Sequence, residues 1–380
     1  MHSNFPFRKR SFNMQKKQQK VALVHDYLRE YGGAERVLES LHELYPEAPV
    51  FTAFVDQKQL GLHWQRFVDW DIRTTWLTKI PGYTLLFSPL RIWAPNYFKA
   101  LDLSEFDLVI SSSNAYFAKA VIVPNGKHVC YCHTPARSLY GYTTMSNWRA
   151  NPITRVFGTL INHYLRVVDY YVAQKVDFFI ANSWETARRI TKFYRRDSII
   201  IYPPVHIPAQ PPLANDRSYY LYVNRLALAK HPELAVQVCT EQNLPLKVVG
   251  SGKMLAGLQA MAGSSIEFCG AVSDEKLNEL YAGAKALLYP VEDEDFGIVP
   301  VEAMAHGVPV IAHDSGGPRE TVLPGRTGVL FSELSAAGLW QAMQQAEKSS
   351  FSPLELYKHS QQFSLAQFKK KITEFIAQLT

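Results

Sequence analysis

The 380-residue sequence predicts an α/β protein of two doubly wound, Rossmann-like domains facing each other across a cleft. Three observations carry that reading. Apolar runs of four or five residues alternate with amphipathic stretches of helical length, as parallel strands buried on both faces and joined by helices require. The length exceeds what one ordinary core fills, and a composition of 47% apolar and 19% charged residues favours sizeable cores over disorder. Five prolines (Pro203, Pro204, Pro208, Pro211, Pro212) fall within residues 203–212, where neither a helix nor a central strand can run.

Residues 1–20 read as a basic, disordered tail without the apolar stretch or cleavage site of a leader. The first domain, 21–204, has strand patterns at Val21–His25, Asp107–Ser111, His128–Cys132, Asp177–Ala181 and Ile199–Tyr202, with helices at Ala34–Tyr45 and Glu185–Phe193. A proline-rich linker, 205–217, leads to the second domain, 218–352. Its strand patterns are Tyr220–Val223, Lys247–Val249, Ile266–Cys269, Ala286–Tyr289 and Val308–Ala312, with helices at Pro232–Cys239, Glu275–Tyr281 and Val299–Ala305. Residues 353–380 have helical periodicity and no strand, and are expected to pack back on the first domain. No apolar run approaches the ~20 residues of a membrane span. Four cysteines fit a reducing, cytoplasmic setting better than a disulfide framework.

The formal net charge of +6 is uneven: +10 over residues 1–204, still +4 without the tail, and −4 over 205–380. A basic first half implies an anionic partner, whether a phosphorylated substrate, an acidic membrane surface or a nucleic acid.

Candidate chemistry concentrates at predicted strand ends. In Glu294-Asp295-Phe296-Gly297-Ile298-Val299-Pro300-Val301-Glu302, the strand ends before Pro290, an acidic loop follows, and a helix starts near Ile298 and stops at Gly307. Glu294 is thus placed in the crevice where open α/β sheets take ligands, with Glu302 about one turn into the helix. The amides of Gly297, Ile298 and Val299 suit an anion. Two carboxylates beside an anion site suit a sugar joined to phosphates; the plain structural reading is an acidic loop before a helix. After the first strand of the second domain, Arg225 and Lys230 stand at the same sheet edge. There they can neutralise a diphosphate leaving group without a metal, although such a pair alone is often a solvated surface. In the first domain Gly32 and Gly33 follow strand one and permit close backbone approach to a ligand. His133 follows the strand ending at Cys132 and is expected to face the cleft.

Other motifs fail on inspection. Gly250-Ser251-Gly252-Lys253 lacks the leading glycine and the Ser/Thr of a phosphate loop, with Lys247 and Met254 in those places. Cys130-Tyr131-Cys132-His133 has no second ligand pair at metal-site spacing. Asp293-Glu294-Asp295 spells a metal–diphosphate motif, but the nearby cations make a metal redundant. No metal or cofactor is therefore expected beyond a sugar-nucleotide donor used as substrate. The missing G-x-G-x-x-G disfavours a dehydrogenase.

These residues together resemble the retaining family-4 glycosyltransferases of the GT-B fold, in particular the WbaZ-like mannosyltransferase branch of O-antigen, lipopolysaccharide and exopolysaccharide synthesis. The likeness rests on Val21–Tyr27, Cys130–Pro135, Ala181-Asn182-Ser183, Ile201–Val205, the Arg225/Lys230 pair and the Glu294–Glu302 segment. It implies a hexosyltransferase using GDP-mannose, with a lipid-linked or growing surface glycan as acceptor. Arg225 and Lys230 would hold the diphosphate, Glu302 the ribose, and Glu294 the sugar hydroxyls. The amides after Phe296 would hold sugar and phosphate, His133 would touch the sugar, and Gly32 and Gly33 would reach the diphosphate. The leaving phosphate would help deprotonate the acceptor; His25 and Asp26 are the side-chain alternatives. Asn224, where a small residue is usual, and His231, where Gly or Arg is commoner, depart from the pattern.

From Trp70 to Phe98, aromatic and aliphatic residues mix with Arg73, Lys79 and Arg91, and this stretch is expected to dock on an anionic membrane at the inner face of the cytoplasmic membrane. Three rivals stay open: a transferase using a UDP- or dTDP-sugar, a GT-B sugar-nucleotide epimerase, and a nucleic-acid-binding protein. Nucleic acid is not the expected partner, because it leaves the second domain's carboxylates and cations without a use.

Overall fold

The computed structural model describes residues 19–143, 152–212 and 216–379. The basic tail to residue 18 and linker residues 213–215 lie outside the described residues. The first sheet comprises β1 (Val21–His25), β2 (Val50–Thr52), β3 (Ile72–Thr74), β4 (Leu108–Ser113), β5 (Lys127–Cys132), β6 (Phe178–Ala181) and β7 (Ile199–Ile200). All pair in parallel, in the order β3-β2-β1-β4-β5-β6-β7. The second comprises β8 (Tyr219–Val223), β9 (Leu246–Val249), β10 (Ile266–Gly270), β11 (Ala284–Tyr289), β12 (Val310–His313) and β13 (Gly328–Phe331), ordered β10-β9-β8-β11-β12-β13 and again parallel.

Both sheets reverse strand order beside their first strand, which opens a crevice at the carboxyl ends of β1 and β4 and of β8 and β11. Strands with both faces covered need apolar residues throughout, and β1 is buried at all five positions. Helices begin where a side chain can cap them. Ser183 accepts from the Thr186 amide at 2.9 Å to start Trp184–Tyr194, and Ser335 does the same for Ala336–Glu347 from Gly338 at 3.0 Å.

The C-terminal segment crosses back. Leu356 and Phe363 pack in the second domain, whereas Phe368, Ile372 and Ile376 of the helix Leu365–Ala377 pack with Val37, Leu41 and Ile201 of the first. The Val205 amide donates to Phe363 O at 3.0 Å, tying the outgoing and returning crossings together.

The sequence did not signal β2, β3 or β13. The stretch 70–98 also differs from a continuous membrane-facing segment: Leu77, Tyr97 and Phe98 lie in the first domain's core, and Ile80, Tyr83 and Phe87 pack against it. Trp76, Leu85, Leu86 and Trp93 of that stretch remain exposed. Among the described residues no helix is long and apolar enough to cross a membrane.

Candidate active site

A cleft of about 1090 Å³ opens between the domains, lined from the first by His25, Asp26, Gly32, Gly33 and Glu35 and from the second by Arg225, Lys230, Glu294 and Asp295. Lys230 sits in the tight turn Leu228–Lys230 after β8, and its ammonium donates to the Glu294 carboxylate across 64 residues of sequence. Both are nearly buried. Burial works against ionising Glu294, but Lys230 foremost, with Arg137 and the Tyr289 hydroxyl, outweighs it and holds the carboxyl below its usual range. Arg225 is about half exposed and pairs with Glu30 of the first domain at 3.1 Å. His231, the departure noted above, adopts φ +47°, the left-handed conformation that explains a glycine preference there.

Backbone packing shapes the same edge. A Cβ on Gly250 would stand 1.9 Å from Asn224 O, so the Gly-Ser-Gly run that mimics a phosphate loop instead seats the loop carrying Arg225. The Gly317 amide donates to Glu294 O at 2.8 Å, and a Cβ on Gly316 would lie 2.2 Å from that oxygen. The helix Ile298–Ala305 starts from Gly297 at φ +84°, leaving the amides of its first turn without intrahelical acceptors. Across the cleft, Gly32 precedes the helix Gly33–Leu44. A Cβ on Gly33 would come within 3.0 Å of Ile298 Cδ1, so the two helix starts face each other closely.

Four residues lie differently from expectation. His133 is buried and does not line the cleft; its Nε2 is 2.8 Å from Ser112 Oγ, which is 3.0 Å from His25 Nδ1, and His25 Nε2 is 3.4 Å from Glu35. Burial, with His25 adding to it, pushes its pKa down to about 3, so it is neutral. With Nε2–H of a neutral His25 on the Glu35 carboxylate, Ser112 donates to His25 and accepts from His133, leaving His133 Nδ1 as an acceptor. His25 thus has both nitrogens engaged. Asp26 accepts amide donors from Asn114, Tyr116 and Ala118 at 2.8, 2.9 and 2.7 Å, making it an anchor of that loop instead of a free base. Glu302 lines a second interdomain cavity of about 710 Å³ and is already engaged, accepting from Arg36 at 3.3 Å and from the Tyr281 hydroxyl at 3.1 Å.

The metal-like motifs are otherwise occupied. The Asp295 carboxylate accepts from Arg137 and Arg189, and Cys130 and Cys132 are buried free thiols, that of Cys132 pushed up foremost by burial. Among the described residues no group of three or more His, Cys, Asp or Glu could hold a metal ion. Sequence reading missed both arginines. The signal available for Arg189 was its phase: it falls with Thr186 and Ile190 on the buried face of its helix, where a charge demands a partner.

Comparison with known proteins meets this geometry. Residues 206–364 match the family described as glycosyl transferases group 1. A GDP-mannose-dependent alpha-mannosyltransferase of Mycolicibacterium smegmatis is 40% identical over 109 residues, 29% of this chain and 29% of that protein. The match thus spans under a third of that mycobacterial relative. An alpha-1,3/1,6-mannosyltransferase, alg2 of Schizosaccharomyces pombe, is 26% identical over 373 residues, 82% of this chain and 70% of the relative. Among solved structures, Anabaena HepE in complex with UDP and glucose superposes with a TM-score of 0.68 at 18% identity, covering 94% of this chain and 99% of that one. The lipopolysaccharide outer core galactosyltransferase WaaB gives 0.65 at 16% identity, covering 95% and 100%. The two-domain architecture is the GT-B fold.

Proposed function

We propose that this chain, whose second domain matches the group 1 glycosyl transferases, is a retaining hexosyltransferase of the family-4 type, moving mannose from GDP-mannose to a lipid-linked or growing surface glycan. The observation that carries the reading is the meeting of Lys230, Glu294 and Arg225 at one sheet edge, opposite the Gly32-Gly33 loop, in a single cleft. The likeness to GDP-mannose-dependent and alg2-type mannosyltransferases supports the donor.

Lys230 and Arg225 neutralise the diphosphate as the sugar–oxygen bond breaks, which stabilises charge that develops only in the transition state. Glu294 is ionised and accepts from sugar hydroxyls. The first-turn amides after Gly297 and the close-packed Gly33 loop receive sugar and phosphate. A ribose reaching Glu302 replaces Arg36 as its partner. Each carboxylate lining the cleft already has a partner: Asp26 three amides, Glu30 Arg225, Glu35 the Gly32 amide, Glu294 Lys230 and Asp295 two arginines. This supports the leaving phosphate, on the same face as the acceptor, as the group that takes the acceptor's proton. The reaction is expected to proceed without a metal.

The acceptor side of the cleft carries an apolar, basic rim. Leu85, Leu86 and Trp93 are exposed, as are Phe157, Leu160, Ile161 and Tyr164 on the helix Pro152–Ala173. No carboxylate occurs between Asp71 and Asp102 or between Asp107 and Asp169. This rim supports docking on an anionic lipid surface that presents the acceptor. It broadens the expected 70–98 segment to include the helix.

Incubation with a panel of sugar nucleotides, reading sugar release and thermal stabilisation, tests the function. GDP-mannose is expected to give both, in EDTA as well, with an α-linked product by NMR. Absence of turnover and of stabilisation with every nucleotide overturns the reading. Flotation with phosphatidylglycerol vesicles tests the rim; no binding by donor-active protein removes that part alone.

A further inference from the structure

The loop that carries Glu294 is held from the opposite domain. Arg189, on the helix Trp184–Tyr194, is 1% exposed. Its own domain places it: Nε donates to Glu185 at 3.0 Å and an outer nitrogen to Thr134 Oγ1 at 3.1 Å, with the Tyr142 ring 4.2 Å from the guanidinium. The outer nitrogens then cross to the second domain, donating to the Asp295 carboxylate and, at 2.9 Å, to the Asp293 carbonyl. Arg137 repeats both contacts, at 2.8 Å to the same carbonyl and 3.2 Å to the same carboxylate.

Two arginines therefore hold the residues immediately before and after Glu294, while the Glu294 carboxylate itself is left to Lys230 and the Tyr289 hydroxyl. The second domain fixes the loop's other side through Gly317 N to Glu294 O and Asp293 N to Ser315 Oγ at 3.0 Å. Asp293 has φ +53°, a conformation a non-glycine residue keeps only where its surroundings over-determine it. A buried guanidinium is an expensive way to join two domains, because its desolvation offsets most of the ion-pair attraction. Its planar fork, in contrast, sets both the direction and the spacing of what it binds.

We infer that Arg189 and Arg137 are positioning residues for glycosyl transfer. Approach of the domains seats the Asp293–Asp295 loop on guanidinium groups already arranged in the first domain, and this orients Glu294 toward the donor sugar. The inference rests on the proposed role of Glu294. It makes assembly of the sugar site conditional on the domain contact.

A double-mutant cycle in the full chain tests it, using GDP-mannose turnover, donor KM and melting temperature. Arg189→Lys keeps the charge and loses the fork; kcat is expected to fall about thirtyfold with donor KM within about threefold. In a Glu294→Gln background the same change is expected to matter less than about threefold, because it acts through Glu294. Asp295→Asn, on the more exposed side of the contact, should reproduce the pattern and covers the case of a poorly folding Arg189 variant. Equal losses in both backgrounds, or losses that only follow melting temperature, overturn the inference. A damaged Glu294→Gln beside undamaged Arg189→Lys and Asp295→Asn overturns the positioning role alone. Wild-type turnover by Glu294→Gln overturns the sugar-site reading as well.

Discussion

On the proposed reading, replacing Lys230 by alanine probes the donor cluster at its centre. Lys230 and Glu294 are 12% and 14% exposed, so charges meet there through an effective dielectric well below that of water. At a value near 20, unit charges ~4 Å apart interact by about 4 kcal/mol. A diphosphate gains negative charge as it leaves, and removing the ammonium is expected to forfeit about 3 kcal/mol of that stabilisation, about 150-fold in kcat/KM at 25 °C. Glu294→Ala should lose at least as much. A second effect separates electrostatics from lost packing. Lys230 is the foremost group holding Glu294 ionised against burial. Without it the carboxyl pKa rises, and if catalysis needs the carboxylate, activity falls at a higher pH on acidification. Nucleoside diphosphate release, measured from about pH 5 to pH 9 for both proteins, reads the two effects together. Activity of Lys230→Ala within tenfold of wild type, or an acid limb that does not move upward, refutes the reasoning.

Stability should fall on mild acidification: burial foremost pushes His133 down to about 3 and His128 down to about 4. Unfolded imidazoles titrate near 6.5, so below that pH the unfolded chain binds more protons; by pH ~5 the pair should account for about 4 kcal/mol, seen as a lower melting temperature at pH 5 than at pH 7. An unchanged melting temperature would contradict it. Asp169→Asn should destabilise by about 3–5 kcal/mol in urea, because Lys119, 2% exposed and 2.6 Å from Asp169, would be left as a buried unpaired ammonium. Gly33→Val should reduce the proposed transfer by about tenfold through collision with Ile298, and Ile298→Ala should restore part of it; no recovery would mean that the two helix starts do not meet in the working protein.

The strand ends that present the site were legible because punctuation marks them. Pro290 closes β11, and Gly297 and Gly307 bound the following helix, so Glu294 could be put at a carboxyl edge from local pattern alone. β2 and β3 were not legible: three residues each give too few positions for a period to show. Side-chain destinations were the harder loss. His133 was correctly tied to the end of β5, yet its direction is decided by Ser112 on neighbouring β4. Glu302 is claimed by Arg36, 266 residues away, and no local spacing encodes that partnership. Arg189 was visible only as a charge in a buried phase, which says that a partner exists without saying which.

The uneven charge acquires a cause once the domains are seen together. Among the described ion pairs joining them, Arg36 meets Glu302 and Asp274, Arg66 meets Asp274, and Arg137 and Arg189 meet Asp295, each cation coming from the basic half and each anion from the acidic one. Part of the first domain's excess is therefore spent on its neighbour, which weakens the case for a nucleic acid. Arg225 with Glu30 reverses the pattern, as does Lys369 of the returning C-terminal helix with Glu43, and Arg225 is the cation left half exposed in the cleft. An exposed pair is held weakly, whereas a diphosphate offers the same guanidinium more charge and a bidentate partner. On the proposed reading, donor binding exchanges Glu30 for phosphate at Arg225 while the buried Arg189 contact stays in place, so the interface can take up substrate without surrendering the geometry around Glu294.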